Sequence, residues 1–370
     1  MFAIVVAISS AIAVVCRLVV VFRATRRTTD LGDEELEERL GFAVRTTEVL
    51  FGREVYARLR RKDHPFQRDV KDLWKSVPEE GVRHVISYVD TAPDDATKRT
   101  LLLLHGMPGG IIDWEPFVRH FGREYRLLVP QLPDFHFSRT SGHFWHSNEE
   151  RAALVTAFAA ALGVNRVNAL VCHSGGNPVA LALIEARELD VGSLVMITPP
   201  GFQWISSAQR QQGVRMCRTA SSRFRRLLFL FLFTDYVMRL FGVRETLVRN
   251  TTRDQFFGMT FLAVFSFDER VFRRRYQALK DRKLPVLFVM AEKDGLFPQW
   301  KFLKTLEWMG VAEDDRRVFT EVDANGKRSP RTEASDWLRV VNFRFGGHFC
   351  FLKFAPLFHE ECEEFFAKTF

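Results

Sequence analysis

The sequence predicts an α/β fold, with a mostly parallel central sheet, helices on both of its faces and an inserted helical segment. Three observations predict it. Short apolar runs suited to strands buried on both faces, such as Thr100 to Leu104 and Leu284 to Ala291, alternate with stretches of helical periodicity. One such strand, ending at His173, leaves no room for a loop before the next helix begins after Ser174-Gly175-Gly176. The chain has 370 residues, 47% of them apolar, which is enough to bury one large core together with an insertion.

The N-terminus comes first. Phe2 to Cys16 is uncharged and mostly apolar, and after Arg17 the run resumes from Leu18 to Phe22. Such a run spans a membrane despite one arginine near its end, because long side chains snorkel to the interface. No Lys or Arg precedes it, whereas Arg17, Arg23, Arg26 and Arg27 follow, the reverse of a cleaved signal peptide. Residues 1–23 are therefore expected to form a transmembrane anchor, with the rest of the chain facing the cytosol from a membrane such as the endoplasmic reticulum. Ala11-Ile12-Ala13 as a cleavage site, or a mitochondrial presequence with no acid before Asp30, are the alternatives. Asn250-Thr251-Thr252 is the only N-glycosylation sequon and reports on this orientation.

Residues 24–80 are expected to be a helical connector, because Leu36, Leu40, Val44, Phe51, Val55 and Leu59 fall on one line at helical spacing, with Thr47 a weak spot. Arg58, Arg60, Arg61 and Lys62 read as a solvated face, Pro65 ends the segment, and the first strand is expected near Val82. The core then begins (81–202), with strands at 100–104, 125–130, 168–171 and 191–198 and a helix over Asn148 to Leu162 that stops at Gly163.

The chemistry is concentrated at strand ends. A serine on the sharp turn after Leu170-Val171-Cys172-His173 has its hydroxyl pushed out of the sheet, in front of helix N-terminal amides that favour developing negative charge. This stretch resembles the nucleophile elbow of the α/β-hydrolases, small-x-Ser-x-small, with Ser174 as nucleophile and Cys172 where most members carry Gly. His105-Gly106-Met107-Pro108-Gly109-Gly110 resembles the family's His-Gly-x-Pro loop, which implies that the Met107 and Gly175 amides form the oxyanion hole. Glu292-Lys293-Asp294-Gly295 is similar to the family's turn carrying the triad acid, which places that role on Asp294, with Glu292 the competing carboxylate. Gly346-Gly347-His348-Phe349 resembles the family's Gly-Gly-His-Phe and makes His348 the base, in the chain order Ser, acid, His. Leu132 to Ser138 is similar to Leu-Pro-Gly-Phe-Gly-x-Ser, with Asp134 and His136 replacing glycines. The resemblance runs from about residue 82 to the end of the chain. It implies a serine esterase or lipase that needs no metal or organic cofactor.

Between Pro200 and Leu284 the fold has room for a lid, assigned to residues 203–283, with the core resuming over 284–370. The assigned lid carries 17 Arg or Lys against six Asp or Glu, a net charge of +11, while the whole chain is only +8. Interleaved with these cations are Phe224, the apolar run Leu227 to Phe233, Tyr236, Phe256, Phe257 and Phe261. That composition suits an anionic membrane surface or a lipid ester, and equally a cap whose phenylalanines line a pocket. Nucleic acid is not expected as a partner, given the hydrolase motifs. The five cysteines, at 16, 172, 217, 350 and 362, form no metal-ligand or disulfide pattern.

Epoxide hydrolases share the His-Gly-x-Pro loop and use lid tyrosines, for which Tyr236 and Tyr276 are candidates, but their nucleophile is aspartate. Proline iminopeptidases have a similar loop. A member without catalysis would serve as a lipid-binding or scaffold protein. Pro199-Pro200-Gly201-Phe202 and Gln212-Gly213-Val214-Arg215 resemble a nematode hydrolase-like family.

Overall fold

The computed structural model describes residues 33–55, 77–107, 109–132, 147–200, 269–312, 319–329 and 335–370. The expected anchor, residues 203–268 of the expected lid, and Asp134 and His136 lie outside the described residues. Among the described residues, no helix is long and apolar enough to cross a membrane.

A ten-stranded sheet organises the chain, in the order β1-β2-β4-β3-β6-β8-β9-β12-β10-β11. Its strands are β1 (Val44–Phe51), β2 (Val82–Asp90), β3 (Thr100–Leu104), β4 (Arg126–Pro130), β6 (Ala169–His173), β8 (Leu194–Ile197), β9 (Val286–Ala291), β10 (Phe319–Val322), β11 (Arg328–Ser329) and β12 (Leu338–Phe343). A separate short pair joins β5 (Arg166–Val167) to β7 (Asp190–Val191). From β4 through β3, β6, β8, β9 and β12 to β10 every pairing is parallel, and antiparallel strands occur only at the two margins.

Helices cover both faces. On one lie α3 (Asn148–Ala161), α4 (Gly176–Ala186), α5 (Glu269–Arg282) and α6 (Gln299–Trp308); on the other lie α2 (Glu115–Phe121), α7 (Cys350–Lys353) and α8 (Ala355–Thr369). Alternate strand residues feed the two cores: Leu102 and Leu104 pack with Phe158 and Val179, whereas Leu101 and Leu103 pack with Trp114 and Phe358. The same alternation splits Val286, Phe288 and Met290 from Leu287, Val289 and Ala291 in β9. This is why the strands read as continuous apolar runs rather than as alternating ones. Ser147 caps α3, its hydroxyl accepting from the Glu150 amide at 3.1 Å while Glu150 Oε2 accepts from the Ser147 amide at 3.0 Å.

Two expectations are corrected. The helical connector fails over 44–51: α1 (Asp33–Leu40) stops at Gly41, which has φ +76, and Val44–Phe51 is then β1, antiparallel to β2. Val49 and Phe51 face the core while Leu50 points out, a period of two. The β-branched Val44, Thr46, Thr47 and Val49 favour a strand, and glycine breaks the apparent helical line. The first strand is thus β1, ahead of Val82.

The lid assignment fails at its end. Residues 269–282, assigned to the lid, form α5, which packs on α4 and α6 with Phe272, Arg275, Tyr276 and Leu279 buried. Arg275 reaches Glu149 Oε1 and Glu185 Oε2 at 2.8 Å, Arg274 pairs with Glu185, and Arg282 donates to the Ile184 carbonyl at 3.0 Å. These arginines hold the Glu185 carboxyl below its ordinary range despite burial that acts the other way. Residues 269–283 carry seven cations and two acids, so the remaining 203–268 has ten against four, a net of +6. Tyr276, a candidate lid tyrosine from the sequence, is a core residue against Phe272 and Trp308.

Candidate active site

The site lies at the carboxyl ends of the parallel strands β6, β8, β9 and β12, where turns leave the sheet in the same direction. β6 delivers Ser174 with φ +45, a left-handed conformation that costs a non-glycine residue of order 1–3 kcal/mol. The surroundings over-determine that turn. The Ser174 amide donates to the Ile197 carbonyl at 2.9 Å, and the Asn177 side-chain amide donates to the Ser174 and Ile197 carbonyls at 2.9 and 3.2 Å. α4 starts directly behind, so close to β3 that a Cβ on Gly176 would lie 2.4 Å from the Leu104 carbonyl oxygen. Cys172, the departure from the family's glycine, is fully buried among the side chains between the sheet and α4.

His348 Nε2 lies 2.8 Å from Ser174 Oγ, and His348 Nδ1 lies 2.8 Å from Asp294 Oδ2. A carboxylate only accepts, so Nδ1 carries the imidazole proton and Nε2 presents a lone pair to the serine hydroxyl. The three residues expected from separate stretches of sequence are thus brought together. Asp294 follows β9 and fixes itself through its other oxygen, Oδ1, which accepts from the Leu296 and Phe297 amides at 2.8 and 3.0 Å. Phe297 then stands edge-on to the His348 ring, centroids 5.3 Å apart. Glu292, the competing carboxylate, is turned away: its Oε1 accepts from the Asn342 side chain at 2.9 Å, and Asn342 also donates to Glu321 at 2.7 Å. Such an arrangement lets an imidazole take the proton of a hydroxyl as that oxygen attacks an electrophile.

The loop after β3 approaches the elbow from the other side. The Leu132 amide donates to His105 Nε2 at 3.0 Å, so His105 Nδ1 carries the proton and donates to the Gly106 carbonyl at 2.8 Å. A Cβ on Gly106 would sit 2.8 Å from His173 Nδ1 and 3.1 Å from Ser174 Cβ, so only glycine fits there without displacing its neighbours. Met107 lies over Gly175, within 2.6–3.0 Å of where a Gly175 Cβ would be. The fully buried Arg151 of α3 points a guanidinium nitrogen at the Met107 sulfur. The two residues expected to donate to an oxyanion are therefore adjacent to each other and to Ser174.

His173 and Thr198 were not singled out by sequence reasoning as part of the site. Both donate to the carbonyl oxygen of His348, from His173 Nε2 at 3.1 Å and Thr198 Oγ1 at 3.0 Å. Burial holds the His173 imidazole well below the ordinary histidine range, and the neighbouring His348 adds to that. It is a neutral donor. Burial likewise pushes the Cys172 and Cys350 thiols up, leaving both as packing residues rather than nucleophiles. Among the described residues, no group of three or more His, Cys, Asp or Glu side chains is placed to hold a metal ion.

A parallel sheet with helices on both faces, a strained serine at a strand–helix turn, and a histidine and aspartate hydrogen-bonded in line with it define the α/β-hydrolase architecture. Residues 101–353 match the alpha/beta hydrolase family, and the chain belongs to that family. Among curated proteins, it is 30% identical over 162 residues to the uncharacterized protein F35H12.5 of Caenorhabditis elegans, covering 39% of this chain and 45% of that one. The match thus spans less than half the length of that relative.

Several crystal structures share the fold at low identity. An enol-lactonase from Burkholderia xenovorans has a TM-score of 0.54 at 14% identity, covering 76% of this chain and 96% of its own. A thermophilic esterase from Thermogutta terrifontis has 0.53 at 16%, covering 78% and 94%. A bacterial membrane phospholipase A has 0.52 at 16%, covering 100% and 99%.

Proposed function

We propose that this α/β-hydrolase is a serine hydrolase of carboxylic esters, with lipid esters its preferred class. The reading rests above all on the two 2.8 Å hydrogen bonds that link Ser174, His348 and Asp294. Ser174 Oγ attacks the acyl carbonyl as His348 Nε2 takes its proton, and Asp294 holds the imidazole tautomer and balances its charge. The Met107 and Gly175 amides bind the oxyanion of the tetrahedral intermediate. His348 then returns the proton to the departing alcohol, leaving an acyl-enzyme. Water, deprotonated by the same nitrogen, attacks the acyl carbonyl, and Ser174 recovers its proton as the acid leaves.

Two features favour a lipid among the esters. Residues 203–268 combine a net charge of +6 with the apolar run Leu227 to Phe233, which suits an interface bearing anionic lipid. The apolar stretch of residues 1–23 would tether the enzyme to a membrane, with the hydrolase domain on the cytosolic side. Neighbours of the same fold include a membrane phospholipase A.

The test is hydrolysis of p-nitrophenyl esters of increasing acyl length by the full chain and by Ser174→Ala. Turnover that rises with chain length and vanishes in Ser174→Ala is expected. Equal slow hydrolysis by both proteins would favour the scaffold reading instead.

A further inference from the structure

His348 is a loop residue, between the end of β12 and the short α7, and no ladder of sheet or helix bonds holds its backbone. Among the described residues, four hydrogen bonds hold it instead, and they come from three neighbouring strand ends. Its ring is bonded to Ser174, after β6, and to Asp294, after β9. Its carbonyl oxygen accepts from His173, the last residue of β6, and from Thr198, the first residue after β8.

Thr198 is the less expected of these partners. It has φ +39, a left-handed conformation that a β-branched residue rarely adopts, because its forked Cβ crowds the backbone. Strain of this kind persists only where the surroundings impose it, and it clusters where a precise geometry is used. Here the Thr198 amide donates to the Val289 carbonyl at 2.8 Å, which fastens the residue across β9. The same turn carries its hydroxyl to the His348 carbonyl at 3.0 Å. Thr198 is fully buried, so that hydroxyl is shut away from bulk solvent.

The second donor is equally constrained. Among the described residues, His173 Nδ1 is buried against Gly106 without a hydrogen-bond partner, and the one hydrogen bond its ring makes is the one from Nε2 to His348. His173 is also adjacent in sequence to Ser174, so nucleophile and base are joined twice: through Oγ and Nε2, and through the β6 terminus and the His348 carbonyl.

We infer that Thr198, with His173, is a positioning residue that clamps the His348 peptide and thereby sets where Nε2 stands relative to Ser174 Oγ. A carbonyl accepting two bonds cannot rotate freely, so the peptide plane and the direction of the His348 Cα–Cβ bond are fixed. Releasing it lets the imidazole drift from the attack geometry, and displacements of about 1 Å cost up to about a hundredfold in rate. The inference rests on the serine hydrolase reading above, since it describes how that base is held.

The experiment measures labelling of the full-length protein by a fluorophosphonate probe, separating the maximal rate from the half-saturating concentration, with thermal stability measured on the same samples. Thr198→Val keeps the shape and removes the donor, and it should lower the maximal rate about tenfold, the scale of one lost hydrogen bond, while leaving the half-saturating concentration unchanged. Thr198→Ser restores the hydroxyl and should stay within about threefold of wild type. His173→Phe keeps a ring and removes the other donor, giving a second measure if Thr198→Val does not fold; it should also lose about tenfold.

A wild-type maximal rate in Thr198→Val or in His173→Phe overturns the inference. So does an equal loss in Thr198→Ser and Thr198→Val, which would assign the effect to packing. Ser174→Ala is measured alongside. Its silence, combined with unchanged Thr198→Val, removes the clamp alone, whereas labelling of Ser174→Ala removes the serine hydrolase reading and the clamp with it.

Discussion

Asp294 divides its carboxylate between two tasks: Oδ2 lies 2.8 Å from His348 Nδ1, while Oδ1 takes the amides of Leu296 and Phe297. One oxygen orients the His348 imidazole and the other locks the turn that presents it. Glu292, two residues earlier, is instead engaged by Asn342. Asp294→Asn should therefore reduce ester turnover by on the order of 10⁴-fold, because an amide favours the wrong imidazole tautomer. Glu292→Gln should leave turnover within about threefold, the scale of a single peripheral hydrogen bond. Steady-state kinetics of the two variants check this, and the reverse ranking would move the acid to Glu292.

The glycines of the elbow separate stability from activity. A Cβ on Gly176 would press on the backbone oxygens of Leu104 and His105, at 2.4 and 2.9 Å, and neither can withdraw. Gly176→Ala should cost about 3 kcal/mol of unfolding free energy, read from the urea midpoint. A Cβ on Gly175 meets Met107, mostly its flexible side chain. Gly175→Ala should fold but, on the proposed function, lose about 10²-fold in kcat as Met107 is pushed aside.

Acid should destabilise the fold through two buried histidines. Burial lowers the pKa of His84 and of His359 to about 4. In the unfolded chain both regain protons near the ordinary histidine value of about 6.5. Between those values the unfolded state binds more protons, so stability is complete above about pH 6.5 and declines as pH falls towards 4. Urea midpoints between pH 7 and 4.5 should fall, and His84→Gln with His359→Gln should flatten the decline. An unchanged slope in the double variant would reject both assignments.

Much of this was legible in the sequence, and the part that was not has physical reasons. Strands β3, β6, β8 and β9 are apolar on both faces, so they announce themselves as runs, and the site residues stand within a few residues of strand ends; β12 is less plain, because Arg339 and Asn342 interrupt it. β1 was misread because Leu36, Leu40, Val44 and Phe51 also satisfy a helical line, and Gly41 with the β-branched residues at 44, 46, 47 and 49 outweighs that line. The arginines of α5 look solvated until Glu149 and Glu185, more than 80 residues away in the chain, are brought beside them. Thr198 carries no motif. Its role depends on a backbone angle and on a partner 150 residues distant.

The terminal helix is held by charge inside the fold. Glu361, with no exposed side-chain surface, accepts from Arg328 at 2.9 Å and from Arg339, which also reaches Glu364 at 2.7 Å. Glu361→Gln leaves Arg328 to Glu360 and Glu364 and leaves the almost fully buried Arg339 with Glu364 as its remaining carboxylate among the described residues, and should cost about 3 kcal/mol in a denaturation experiment. A loss below about 0.5 kcal/mol would mean that the cluster is solvated like a surface pair.

The proposed function requires that one hydroxyl, that of Ser174, be activated by His348 and Asp294. Peptide mapping by mass spectrometry after treatment with a fluorophosphonate tests it most directly. A single adduct on the peptide containing Ser174, absent from Ser174→Ala and strongly reduced in His348→Ala, is the predicted result. An adduct on another residue, or a folded wild-type protein that takes none, would contradict it.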